Sequence, residues 1–194
     1  VALRAAAFLD KDGTLLVDVP YNVDPARMTL APGAPAGLRG LARLGLALVV
    51  VSNQPGVGLG RFSHERLDGV AARLRAMFLE QGALLEGCYW CPHHPGGTVA
   101  GFARRCDCRK PSPALVYRAA RELGLDLRRS WFVGDILDDV EAGRRAGCRT
   151  ILLDNGGETE WRQDSSFRIP DRIVADLHEA ALHIATCTRG EIRA

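Results

Sequence analysis

Several short apolar runs in this chain stop abruptly at a polar residue, and that pattern limits the fold more than any other feature. Residues 5–9 run into Asp10, residues 46–51 into Ser52, and residues 131–133 into Gly134 and Asp135. Unbroken apolar runs of this length read as strands buried on both faces. Between them lie segments with helical spacing. Leu38, Leu41 and Leu44 mark a helix predicted over 32–44, stopped by Gly45. Leu67, Val70, Leu74, Met77 and Phe78 form one face of another, with Ser63 as its expected cap. Ser112 and Pro113 are expected to open a third, running to about Leu123. Residues 85–90 read as a short strand, and a short helix to Ala146 precedes a strand over 150–153. Residues 172–175 suit an edge strand and 177–186 a closing helix, while 91–111 and 155–170 show no period.

This alternation predicts a Rossmann-like, three-layer α/β/α fold with a mainly parallel sheet, as one domain over residues 1–194. In open sheets of this kind ligands bind beyond the carboxyl ends of the strands. Asp10, Ser52 and Asp135 are therefore expected to share one crevice.

A net charge of +2 gives no basic stripe of the kind a nucleic-acid binder needs. No apolar run approaches the roughly 18 residues that span a bilayer. Residues 1–10 lack a long apolar region with a small-residue cleavage site, so the chain is expected to be cytoplasmic. Reducing cytosol disfavours disulfides, so the six cysteines need another purpose. No exposed apolar stripe is evident, and a monomer is expected.

Asp10 and Asp12 flank Lys11 where the first strand becomes a loop, and Gly13 permits the turn that aims both acids at the crevice. One carboxylate can attack phosphorus, and the other can protonate the leaving oxygen and then deprotonate water. Two anions facing a phosphate require cations. Magnesium suits an oxygen-rich site, with Asp10, the Asp12 carbonyl and Asp135 as expected ligands. Ser52 and Asn53 offer a hydroxyl and turn amides to phosphoryl oxygens. Lys110, beside Arg109 and just before Pro111 and the Ser112 cap, is placed to act as a point charge on phosphate beside a helix N-terminus. Asp138 and Asp139 also suit the acidic first turn of a helix.

Cys91, His93, Cys106 and Cys108 fall within 18 residues and make a complete tetrahedral zinc set of three sulfurs and one imidazole. A closed four-ligand site has no open catalytic position, so zinc is expected to organise the 91–108 loop. His94 is a substitute ligand. Cys88, Cys148 and Cys187 have no partners by spacing and are expected to be small apolar residues.

The segments around Asp10-Lys11-Asp12-Gly13-Thr14, Ser52, Lys110 and Gly134-Asp135 with Asp139, in that order, resemble the motifs of the haloacid dehalogenase superfamily of phosphatases. The resemblance implies Asp10 as nucleophile, Asp12 as general acid/base, Ser52 and Lys110 as phosphoryl holders, and Asp135 as a magnesium ligand. Cys91-Pro92-His93-His94-Pro95 and Cys106-Asp107-Cys108-Arg109-Lys110-Pro111 are similar to the D-glycero-D-manno-heptose 1,7-bisphosphate phosphatase family, and the histidinol-phosphate phosphatases share much of the pattern. That likeness, over about residues 8–154, implies substrate contacts from Asp18, Tyr21, Asn53, Gln54 and Arg109, and a capless cleft in which short loops confer specificity. It also implies removal of the 7-phosphate of a heptose bisphosphate through an aspartyl-phosphate, for surface polysaccharide. Histidinol phosphate is the rival substrate, and a zinc-stabilised binding module without activity the rival of another class. One position departs from the family pattern: Ile136 stands where those phosphatases carry a lysine.

Overall fold

The order of strands across the sheet decides where a site can form. In the computed structural model, which describes residues 3–191, six strands line up as β3-β2-β1-β4-β5-β6. The outermost residues of the expected domain, 1–2 and 192–194, lie outside the described ones. The strands are β1 (Ala6–Leu9), β2 (Ala47–Asn53), β3 (Leu85–Cys91), β4 (Trp131–Gly134), β5 (Arg149–Leu153) and β6 (Arg172–Val174). Every pairing is parallel. The chain winds outward from β1 to β3, then restarts at β4 on the other side of β1. The carboxyl ends of β1 and β4 therefore border the point where the winding reverses, the place where such sheets open a crevice.

Side-chain alternation along the central strands divides the core into two layers. Ala7 and Leu9 of β1, with Leu48 and Val50 of β2, face helices α1 (Ala34–Arg43), α2 (Arg66–Glu80) and α5 (Leu177–Glu191). Ala6 and Phe8, with Val49 and Val51, face α3 (Ala114–Leu123) and the end of α4 (Leu137–Ala146). Each helix presents its apolar stripe to the sheet, as with Leu38 and Leu41 of α1 and Leu115, Val116 and Ala119 of α3. Phe8 stacks on Phe132 across β1 and β4 with ring centroids 6.3 Å apart. This is the α/β/α sandwich expected from the sequence. Among the described residues no helix is long and apolar enough to cross a membrane.

Helix ends depart from expectation where a cap was inferred from residue type alone. Helix α2 starts at Arg66 behind Glu65, and Ser63 lies in the preceding turn, where its carbonyl accepts from Arg66 N. Helix α3 starts at Ala114 with Pro113 in the capping position, and Ser112 Oγ reaches Ala114 N only at 3.4 Å. Helix α5 runs past Thr186 to Glu191. The irregular segments behave as expected: 91–111 forms neither helix nor strand after the end of β3 at Cys91, and 155–170 holds only a short 3-10 turn at Ser166–Arg168.

Candidate active site

The crevice beyond β1 and β4 is lined by Asp10, Asp12, Asp18, Ser52, Asn53, Lys110, Asp135, Ile136 and Gly157. Asp10 follows β1 directly, Ser52 and Asn53 end β2, and Asp135 follows β4. Strand register alone thus brings these polar ends together. Lys110 arrives from the irregular segment and is buried. Its Nζ donates to Asp10 Oδ1 at 2.6 Å and to the Val51 carbonyl at 3.1 Å. The same ammonium pairs with Asp139 Oδ1 at 2.5 Å. Burial by itself would lower the pKa of this lysine, but Asp10 and Asp139 outweigh that and hold it above the ordinary value.

Asp12 is gripped through both oxygens. Lys11 Nζ donates to Oδ1 at 2.6 Å and Gln54 Nε2 to Oδ2 at 3.0 Å. Lys11 is itself only 1% exposed, so its charge serves the interior of the loop rather than solvent. Burial raises the Asp12 carboxyl above the usual carboxylate range; Lys11 opposes that shift and Asp10 adds to it. A carboxyl that holds its proton more tightly than a free one suits a general acid. Gln54 also donates to Ser52 Oγ at 3.0 Å. That bond uses Ser52 as an acceptor and leaves its hydroxyl hydrogen with only a long 3.4 Å contact to the Asn53 carbonyl.

Asn53 fixes the lysine's backbone from both sides. Its Oδ1 accepts from Lys110 N at 2.9 Å, and its Nδ2 donates to the Lys110 carbonyl at 3.2 Å. Of the residues expected to meet substrate, Asp18, Ser52, Asn53 and Lys110 line the crevice, whereas Gln54 sits behind Asp12. Tyr21 and Arg109 are not among the lining residues. Tyr21 is exposed, with a left-handed φ of 56° and the Arg61 guanidinium 5.6 Å over its ring. Arg109 is half-buried. The contributions of Lys11 and of Asp139 as a partner of Lys110 were not legible in the sequence. Both are charged residues whose burial only the fold creates.

Asp10, Asp135 and Asp139 offer carboxylate oxygens within 4.8 Å of one another. One ammonium does not balance three acids. Burial, with Asp10 and Asp139 adding, pushes Asp135 up to about 8. Backbone closes around this carboxylate, since a Cβ added at Gly13 or Gly157 would collide with Asp135 Oδ2. Hard oxygen donors, surplus negative charge and a tight cradle fit a small divalent cation such as magnesium.

A second cluster lies on the same irregular segment. Cys91 Sγ is 3.5 Å from Cys106 Sγ and 3.2 Å from Cys108 Sγ, and His93 Nδ1 is 3.2 Å from Cys108 Sγ. These separations are close to the edges of about 3.8 Å that a tetrahedron with Zn–S bonds of about 2.3 Å requires. One atom from each of Cys91, His93, Cys106 and Cys108 lies within 4.8 Å of the others, so the four could hold a metal ion. Cys88, Cys148 and Cys187 stand apart from the cluster, each at least partly buried.

A HAD-hydrolase-like family model matches residues 107–180. The chain is 37% identical over 179 residues to the D-glycero-beta-D-manno-heptose-1,7-bisphosphate 7-phosphatase of Yersinia pestis, covering 88% of this chain and 95% of that protein. The protein of the same name from Escherichia coli K12 is 37% identical over 177 residues, covering 87% and 93%. The solved structure of a HAD-like phosphatase from Mesorhizobium loti matches with a TM-score of 0.81 at 32% identity, over 96% of this chain and 88% of that one. That of the D,D-heptose 1,7-bisphosphate phosphatase from B. bronchiseptica, complexed with magnesium and phosphate, matches at 0.78 and 26% identity, over 94% and 98%.

The raised carboxyl gives the metal-free protein a defined pH response. Asp135 ionises near the ordinary carboxylate value in the unfolded chain but at about 8 in the fold. The native state therefore holds the extra proton, and the stability this group contributes is full below about pH 4 and is lost as pH rises towards 8. Melting of metal-free protein should occur at a lower temperature at pH 8 than at pH 6. Added magnesium should raise the melting temperature more at pH 8, where its carboxylate ligands are ionised. An equal magnesium effect at both values would contradict this assignment.

Proposed function

Because this chain belongs to the HAD-like hydrolases, the family of the D-glycero-beta-D-manno-heptose-1,7-bisphosphate 7-phosphatases, we propose that it removes the 7-phosphate of D-glycero-D-manno-heptose 1,7-bisphosphate by way of a phosphorylated Asp10. The observation that carries this reading is the Asp10 carboxylate at the end of β1, held by Lys110 Nζ at 2.6 Å and facing the open crevice.

The residues divide the work as follows. Lys110 holds Asp10 through Oδ1 and aims it, so that its free oxygen attacks phosphorus in line with the sugar oxygen. Asp12, fixed by Lys11 and Gln54, gives its proton to that leaving oxygen. The same carboxylate, now ionised, takes a proton from the water that cleaves the aspartyl-phosphate. Ser52 donates its spare hydroxyl hydrogen to a phosphoryl oxygen, while Asn53 keeps Lys110 in place. Magnesium, when bound, offsets the charge that Asp10, Asp135 and the phosphoryl group bring together. Asp10, the Asp12 carbonyl and Asp135 would hold it, with Asp139 behind them. Asp18, and Tyr21 and Arg109 from the surrounding loops, would meet the sugar. Cys91, His93, Cys106 and Cys108 would hold a structural zinc. The enzyme would act as a cytoplasmic monomer of one domain, in the supply of activated heptose for surface polysaccharide.

One observation favours a second substrate. Asp10, Asp12, Asp18 and Asp135 line the crevice, and Lys110 is its only basic lining residue among those described. Ile136 supplies an apolar wall where a lysine would add charge. This balance suits a leaving group with an amine, as in histidinol phosphate, better than one with a second phosphate.

Phosphate release should be measured with magnesium from both anomers of the heptose bisphosphate, from histidinol phosphate and from fructose 1,6-bisphosphate. The reading predicts marked preference for one heptose anomer; preference for histidinol phosphate would move the enzyme to the second substrate. Asp10→Asn should lower turnover by at least about 10⁴-fold with the fold intact, and normal turnover would sink the mechanism. Stripping zinc should lower the melting temperature by roughly 5–15 °C, a few kcal/mol for a chain of this size. An unchanged melting temperature without zinc would remove its structural role.

A further inference from the structure

The segment that leaves β5 crosses directly over the candidate metal ligands, and it is tied down at both ends. At the near end Asn155 Nδ2 donates to the Gly13 carbonyl at 2.6 Å, joining this segment to the loop that carries Asp10 and Asp12. The other end of the same amide, Oδ1, accepts from Gly157 N at 3.2 Å and turns the chain. At the far end Glu158 Oε2 accepts from Leu137 N at 2.7 Å, at the start of α4. Glu158 Oε1 accepts from Glu160 N at 2.8 Å and from Trp161 N at 3.2 Å, closing the turn beyond it. Between the anchors Gly157 presses bare backbone against Asp135, as Gly13 does from the opposite loop.

From this arrangement we propose that residues 155–158 form a strap that closes the metal site over Asp135, with Asn155 as the positioning residue that sets magnesium affinity. Asn155 and Gly157 are solvent-exposed, so their hydrogen bonds contribute little to global stability. Their effect is local. Thr14 Oγ1 donates to Asp135 Oδ1 at 3.1 Å, and Asn155 holds the Gly13 and Gly157 backbones at the spacing that admits Oδ2 between them, so that the carboxylate is confined at its other oxygen. Groups that orient a ligand in this way are typically worth about 10–100-fold in metal affinity. The glycines are required because any side chain at either place would occupy the space of the carboxylate. The strap explains why Asp135 is only 6% exposed although it lines an open crevice.

This inference rests on Asp10 and Asp135 being the magnesium site. It is tested by calorimetric titration of magnesium into metal-free wild type, Asp135→Asn, Asn155→Ala and Asn155→Asp, with melting temperatures taken before metal is added. Asn155→Asp keeps the acceptor for Gly157 N and loses the donor to Gly13. Both Asn155 variants should bind magnesium roughly tenfold more weakly, with metal-free melting temperatures near that of wild type. Wild-type affinity in either folded variant would overturn the strap. Loss of fold in both would overturn it too, since the residue would then hold the chain together rather than the site. Undiminished binding by Asp135→Asn would instead defeat the metal assignment on which the strap rests.

Discussion

The arrangement of the site depends on one buried ammonium. Lys110 is 2% exposed and lies between Asp10 and Asp139, at 2.6 and 2.5 Å. A charge in that position is tolerable only with partners, and removing one member of a buried pair typically costs about 3–5 kcal/mol. The three residues come from the loop just after β1, from the irregular segment before α3, and from α4. Their mutual dependence therefore locks three parts of the chain around one point. Gly134 makes room for it, since a Cβ there would collide with the Asp139 side chain. Asp139 also accepts from Ile136 N at 3.4 Å, which ties the start of α4 to the same centre.

That lock connects the two clusters of the molecule. Cys106 and Cys108 directly precede Arg109 and Lys110, so whatever organises the thiols also delivers the lysine. Asn53 then clamps the lysine's backbone to the end of β2. The cysteine–histidine cluster lies apart from the crevice, yet it borders in sequence the lysine that holds Asp10. The remaining excess of negative charge around Asp135 is what a divalent cation would offset, and the glycine cradle accounts for the shape of that place.

The fold was largely legible in the sequence because buried parallel strands are apolar on both faces and end where polarity begins. Asp10, Ser52 and Asp135 could be placed at one crevice on that ground alone. The four zinc-type ligands were legible because their residue types are rarely grouped by chance. Helix starts were not, because Ser63 and Ser112 have the chemistry of caps but the backbone enters each helix later. Asp139 reads as part of the fourth motif and of an acidic first helical turn, and Lys11 carries no role in the sequence; only the fold buries them against Lys110 and Asp12. Gln54 reads as a loop residue facing substrate, yet the turn after β2 folds it beneath Asp12. Asn155 lies in a polar stretch without periodicity, and its bond to Gly13 spans a sequence separation no local pattern can signal.

In the proposed reaction Asp10 carries the phosphoryl group between the two half-reactions. Rapid acid quenching of the enzyme during turnover, followed by peptide mapping, tests it most directly. A transient, acid-stable phosphate is expected on the peptide containing Asp10, formed before free phosphate accumulates. Phosphate found on another residue, or free phosphate released at full rate with no labelled protein at any time, would contradict it.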